Sequence, residues 1–165
     1  MVLDPGSTVV FEQSGVQPAL CSPKPPTIGL AVGVFDRLHR GHLIFLRAAR
    51  QRCDVLIVGL QLNPLAYKPV EIHDSYHERW RRLALVQAID RIVPYQDVDH
   101  LVQQLHFNRL FLGEDQRHPG FGRAVAYCRS RCIPVQRLPR TPEISSTALR
   151  QGCSGRFIAV LPPAR

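Results

Sequence analysis

Two stretches of the chain, residues 27–34 (TIGLAVGV) and 54–62 (DVLIVGLQL), are apolar almost without interruption. A strand with one wet face alternates apolar and polar residues, whereas a strand covered on both faces does not. Between the two runs lies HLIFLRAARQR (residues 42–52), with Leu43, Leu46 and Ala49 on or near one helical face. Buried strand, helix, buried strand is the repeat of an α/β protein built on a parallel sheet. The rest of the chain continues it. RIVPY (91–95), RLFL (109–112) and IPVQRL (133–138) read as three more strands. SYHERWRRLALVQAI (75–89), DVDHLVQQLHF (97–107) and RAVAYCRSR (123–131) read as helices. The first of these opens with Ser75 and Glu78 at capping-box spacing. GEDQRHPGFG (113–122) reads as a glycine-containing loop, and SSTALRQG (145–152) as a helix start ended by Gly152. The expected fold is a doubly wound, five-stranded parallel sheet in one domain over residues 27–152. The proline-rich CSPKPP closes an arm, residues 1–26, that holds at most a short edge strand, TVVFEQ (8–13). Residues 153–165 form a tail.

In such sheets ligands bind beyond the carboxyl ends of the strands, near the switch point. Three segments fall there: GVFDRLHRGH (33–42), GEDQ (113–116) and RTPEISST (140–147). In the first, Gly33 allows a turn or a close approach, and Gly41 keeps the start of the next helix open. His39 and His42 flank that helix start, where backbone N–H groups and the helix dipole favour an anion. Imidazole donors at that point suit a phosphate under attack, because phosphoryl transfer asks for alignment and for donors aimed at developing charge. In RTPEISST, the Ser145, Ser146 and Thr147 hydroxyls with the free N–H groups of a helix start make a second phosphate cradle, and Arg140 adds a charged fork. A nucleoside triphosphate could span both.

The formal charge of +8 and the pI of about 9.9 favour anionic partners. The basic residues are spread along the chain and are not interleaved with aromatics, which makes nucleic acid a secondary expectation. Five cysteines, an odd number without a disulfide framework, no run long enough to span a bilayer and no basic-then-apolar leader point to a reducing, cytoplasmic setting.

The two motifs together, GVFDRLHRGH and RTPEISST, resemble the HxGH nucleotidyltransferase superfamily, and within it the small cytidylyltransferases typified by glycerol-3-phosphate cytidylyltransferase. The resemblance runs from Ile28 to Arg150. It implies a Rossmann-like nucleotidylyl transferase fold and a reaction in which an acceptor phosphate attacks the α-phosphorus of CTP, with pyrophosphate leaving and Mg²⁺ assisting. It implies catalytic roles for His39, His42, Lys68 and Arg140, and nucleotide contacts from Gly33, Val34, Phe35, Asp36, Gly41, Asp115, Thr141, Ser145, Ser146 and Thr147. Arg79 matches a phosphate-binding arginine on the acceptor side, and Asp36 is the candidate metal ligand. Lys68 is one of only two lysines beside nineteen arginines. The partners implied are a nucleoside triphosphate, a small phosphorylated acceptor and a second copy of the chain as a homodimer. Val34 stands where the family carries threonine and Glu143 where it carries glycine. Gln87, and the lack of a tryptophan after Pro94, separate the acceptor side from glycerol-phosphate enzymes. ATP with a phosphopantetheine, FMN or sugar-phosphate acceptor is the alternative reaction, and a non-catalytic nucleotide- or RNA-binding module the alternative class. His73 with His77 reads as a surface pair rather than a metal pair, and Cys128 with Cys132 as thiols on one helix face.

Overall fold

The computed structural model describes residues 24–64 and 72–139. The expected edge strand at 8–13, most of the arm, Lys68, the whole 140–147 motif with Arg140, Thr141, Ser145, Ser146 and Thr147, the helix after it and the tail lie outside the described residues.

The elements alternate as β1 (Ile28–Gly33), α1 (Arg40–Arg50), β2 (Val55–Gln61), α2 (Tyr76–Ala84), β3 (Arg91–Tyr95), α3 (Val98–Gln104), β4 (Arg109–Gly113), α4 (Pro119–Ser130) and β5 (Val135–Leu138). All four strand pairings are parallel, and the order across the sheet is β3-β2-β1-β4-β5. Strand order therefore reverses between β1 and β4. Side chains alternate across the sheet. Leu30 and Val32 enter one core with Leu101, Val102, Ala124 and Cys128 of α3 and α4. Ala31 enters the other, with Leu46 and Ala49 of α1 and Leu83 of α2. Two cores, one on each face, account for strands that carry no polar side.

Three boundaries differ from the sequence reading. α1 begins at Arg40, because His39 itself is the N-cap. α2 ends at Ala84, and the chain goes on through tighter turns, with the Val86 N–H donating to Leu83 O and the Ile89 N–H to Val86 O. α4 starts at Pro119, inside the stretch expected to be loop. Proline at the first helical position loses no hydrogen bond, and Gly120 is buried with its open side 3.4 Å from Val98 Cγ1. The capping box at Ser75 and Glu78 forms in both directions.

Cys132 corrects the expectation of two thiols on one helix face. Cys128 is buried on α4, but Cys132 lies past the helix end, exposed, with φ 54°. The Cys132 N–H donates to Arg129 O and the Ile133 N–H to Cys128 O, which is the Schellman closure with Cys132 in the left-handed position. Glycine is at ease there and cysteine is not. Cys132→Gly should stabilise the protein by about 0.5–1 kcal/mol in urea melts; a loss of stability would contradict the Schellman assignment.

Candidate functional site

The switch point is built around the loop from β1 to α1. Phe35 and Arg37 adopt left-handed backbone conformations, φ 53° and 47°, which cost non-glycine residues about 1–3 kcal/mol each. Phe35 is buried, and its ring folds back over Gly33; a Cβ there would sit 3.0 Å from the ring. A side chain at Gly33 would crowd the Phe35 ring, before any question of a ligand.

The loop delivers the two histidines to the N-terminus of α1. His39 caps the helix, its Nδ1 accepting from the Gly41 N–H at 3.1 Å. A nitrogen that accepts carries no proton, so the neutral His39 ring holds its proton on Nε2. His42 stacks on His39 with centroids 3.9 Å apart and planes 21° apart, and meets the edge of Phe35 at 5.3 Å. Burial, and secondarily the neighbouring His39, pushes the His42 imidazole down to about 3, against an opposing pull from Asp36. His42 is therefore a neutral ring at ordinary pH. Its Nδ1 is enclosed without a hydrogen-bond partner, which leaves Nε2 to meet a ligand. Imidazole donors at a helix N-terminus with no acidic residue in its first turn can donate to phosphate oxygens.

A buried polar clasp holds the loop from the other side. Asp36, 3% exposed, accepts from the His73 and Asp74 N–H groups with one oxygen, at 3.1 and 2.9 Å. Asp74, 4% exposed, returns the contact by accepting from the Arg37 N–H at 3.0 Å, and pairs with Arg82 at 3.4 Å. Arg79 is 1% exposed, and its Nη1 donates to Val34 O at 2.8 Å and to Gln61 O at 2.9 Å. Arg79 is thereby fastened to the ends of both β1 and β2.

Across the switch point, the β1–β4 ladder pairs Gly29 with Arg109, Leu30 with Leu110 and Ala31 with Phe111, and stops there. Gln116 spans the gap that opens beyond. Its Nε2 donates to Val32 O at 2.7 Å and its Oε1 accepts from the Gly113 N–H at 2.8 Å, so a side-chain amide replaces the missing rung. Asp115 is exposed in the same turn, its carboxylate over Gly113. His118 caps α4 just as His39 caps α1, with Nδ1 accepting from the Gly120 N–H at 3.2 Å. Gln116 and His118 were not among the residues singled out from sequence. The repeated His-x-Gly spacing, His39-Arg40-Gly41 and His118-Pro119-Gly120, is the signal that could have found the second cap.

The structure thus gathers Gly33, Val34, Phe35, Asp36, His39, Gly41 and His42 at the turn from β1 into α1, joins Arg79 to it through Val34, and places Asp115 beyond the adjacent strand. His73 and His77 are both exposed. Among the described residues no group of three His, Cys, Asp or Glu side chains can hold a metal, and the buried Asp36 carboxylate already accepts two backbone N–H bonds. The described residues by themselves supply no ligand set for a resident Mg²⁺. Among the described residues no helix is long and apolar enough to cross a membrane.

The chain is similar in sequence and in fold to known proteins. In sequence, the chain is 27% identical over 129 residues to glycerol-3-phosphate cytidylyltransferase of Bacillus subtilis (strain 168), covering 76% of this chain and 96% of that one. It is 34% identical over 96 residues to the bifunctional protein HldE of Granulibacter bethesdensis, a match over 55% of this chain but only 20% of HldE. In structure, the lipopolysaccharide core biosynthesis protein of Thermoplasma volcanium GSS1 superposes with a TM-score of 0.58 at 22% identity, covering 70% of this chain and 97% of that one, a likeness of fold. The cytidylyltransferase-like family model matches residues 30–152, which takes in the histidine loop, the clasp and the switch point alike. On that match, over most of its length, the chain belongs to the cytidylyltransferase-like family.

Proposed function

We propose that this protein transfers a cytidylyl group from CTP to the phosphate of a small alcohol or polyol, releasing pyrophosphate. The observation that carries the reading is the stacked His39–His42 pair at the N-terminus of α1, beside the point where strand order reverses. In the reaction, an acceptor phosphate oxygen forms a bond to the α-phosphorus as the bond from that phosphorus to the pyrophosphate oxygen breaks. Pyrophosphate leaves with the electron pair, and no covalent bond to protein forms. Negative charge spreads over the α-phosphate oxygens in the transition state, where the histidine N–H donors and the α1 N-terminus meet it. Lys68, Arg140, Thr141 and the Ser145–Ser146–Thr147 run are proposed to meet the rest of the triphosphate, with Asp115 near the nucleoside. A divalent cation would arrive on the nucleotide's phosphates.

The relative named glycerol-3-phosphate cytidylyltransferase supports CTP and a phosphorylated polyol. Gln87, exposed after α2, and the sequence following Pro94 turn the acceptor side away from glycerol 3-phosphate itself. The test is pyrophosphate release with Mg²⁺ and either CTP or ATP over a panel of alcohol phosphates, beside melting curves with each nucleotide. A nucleotide at a hundred times its Kd stabilises the fold by about 2.7 kcal/mol. Turnover with CTP is expected. Turnover with ATP alone would move the assignment to adenylyl transfer, and stabilisation by nucleotide without pyrophosphate release would point to a binding module.

A further inference from the structure

We propose that Arg79 is a positioning residue for the histidine pair, forming with Asp36 and Asp74 a buried clasp that holds the β1–α1 loop in its left-handed turns. The inference rests on the transferase reading for its kinetic part only. Four observations converge on it. Arg79 is 1% exposed, too deep to meet an acceptor that must enter and leave in every cycle. Its Nη1 is committed to two carbonyls, Val34 O just past β1 and Gln61 O at the end of β2, so one group ties two strand ends together. The residue after Val34 is the left-handed Phe35, whose ring lies against His42; fixing the Val34 carbonyl fixes the peptide from which Phe35 departs. The second left-handed residue, Arg37, is held by its N–H on Asp74, while Asp36 between them accepts from His73 and Asp74.

The loop is thus gripped on each side of both unfavourable turns. Backbone strain persists only where the surroundings over-determine it, and here the surroundings are three buried ionisable side chains drawn from two loops and a helix. Arg79 Nε is enclosed without an acceptor. A phosphate ligand would have its donors turned outward; here Nη1 turns inward to two backbone carbonyls. A buried arginine that acts through backbone carbonyls shapes the distance and tilt of His39 and His42, and small misplacement of reacting groups is expensive in rate.

The experiment compares wild type with Arg79→Lys and Arg79→Met. Arg79→Met should lower kcat ten- to a hundredfold, with KM for nucleotide and acceptor each moving less than about threefold, and Arg79→Lys should recover part of kcat. In the ligand-free protein, the imidazole nitrogen resonances should show His39 protonated at Nε2 in wild type and a mixture of tautomers in Arg79→Met, as the cap loosens. A more than tenfold rise in acceptor KM with kcat and the His39 resonances unchanged would overturn the proposal and make Arg79 a phosphate ligand. If wild type catalyses no transfer, the tautomer measurement decides alone: altered His39 resonances support the clasp although the transferase reading has failed, and unaltered ones overturn it. Should Arg79→Met not fold, Asp74→Ala, which removes the acceptor for the Arg37 N–H, replaces it with the same expected His39 change and the same overturning result.

Discussion

His42→Ala should lower kcat for the proposed CTP-dependent transfer by two orders of magnitude or more, about 3 kcal/mol of transition-state stabilisation, while nucleotide affinity falls much less. The asymmetry follows from where the imidazole sits. His42 is neutral, held by stacking on His39 and by the edge of Phe35, and faces the N-terminus of α1. A neutral donor gains little from a ground-state phosphate already served by helix N–H groups. It gains more when charge builds on the oxygens of the α-phosphorus during displacement, as oxyanion-type donors do. Single-turnover rates separate that chemical step from binding, and nucleotide melting titrations read affinity independently. An unchanged kcat would remove the histidine pair from the chemistry and the proposed function with it.

Acid should destabilise the protein well before its carboxylates titrate, and His42 should be the cause. In the unfolded chain the imidazole takes up its proton near 6.5; in the folded protein it does so only near 3. Between those values the unfolded state binds more protons than the native one, so stability rises with pH there and is lost as pH falls. The size is on the order of a few kcal/mol across the window. Glu78 and Asp99 are held below their ordinary values by hydrogen bonds from Ser75 and Arg123 respectively. Their contributions are present above the unfolded carboxylate range and vanish only below it. The stretch from about pH 6.5 to 4.5 therefore isolates the histidine. Urea melts of wild type and His42→Gln through that interval should diverge, with the variant losing less stability on acidification. Parallel curves would mean that the imidazole is more open to water than its place between His39 and Phe35 indicates.

Most of the framework could be read from the chain because it depends on local pattern. Unbroken apolar runs gave β1 and β2, Ser75 with Glu78 gave the start of α2, and GVFDRLHRGH marked the turn from β1 into α1 at the point where strand order reverses. What escaped depends on neighbours distant in sequence. ERWRR offers three arginines, and composition does not say which is buried. The helical period does, since Arg79 lies four residues before Leu83 and both face the core. Gln116 had no local signature at all. Its amide matters because β1 and β4 part after Ala31 and Phe111, a divergence that exists only once the sheet is assembled. Pro119 reads from sequence as a loop residue, although the first turn of a helix suits it.

The reciprocal carboxylate clasp also bears on when the site comes into being during synthesis. The Arg37 N–H finds its acceptor on Asp74, Val34 O its donor on Arg79, and Asp74 its ion pair on Arg82. None of these partners is free to dock when the histidine motif first emerges from the ribosome. Until α2 has been made and has docked, nothing opposes the relaxation of Phe35 and Arg37 into ordinary backbone conformations, and His39 and His42 have no fixed relation to each other. A nascent chain halted before Arg79 would carry both histidines of the motif and lack the means to aim them.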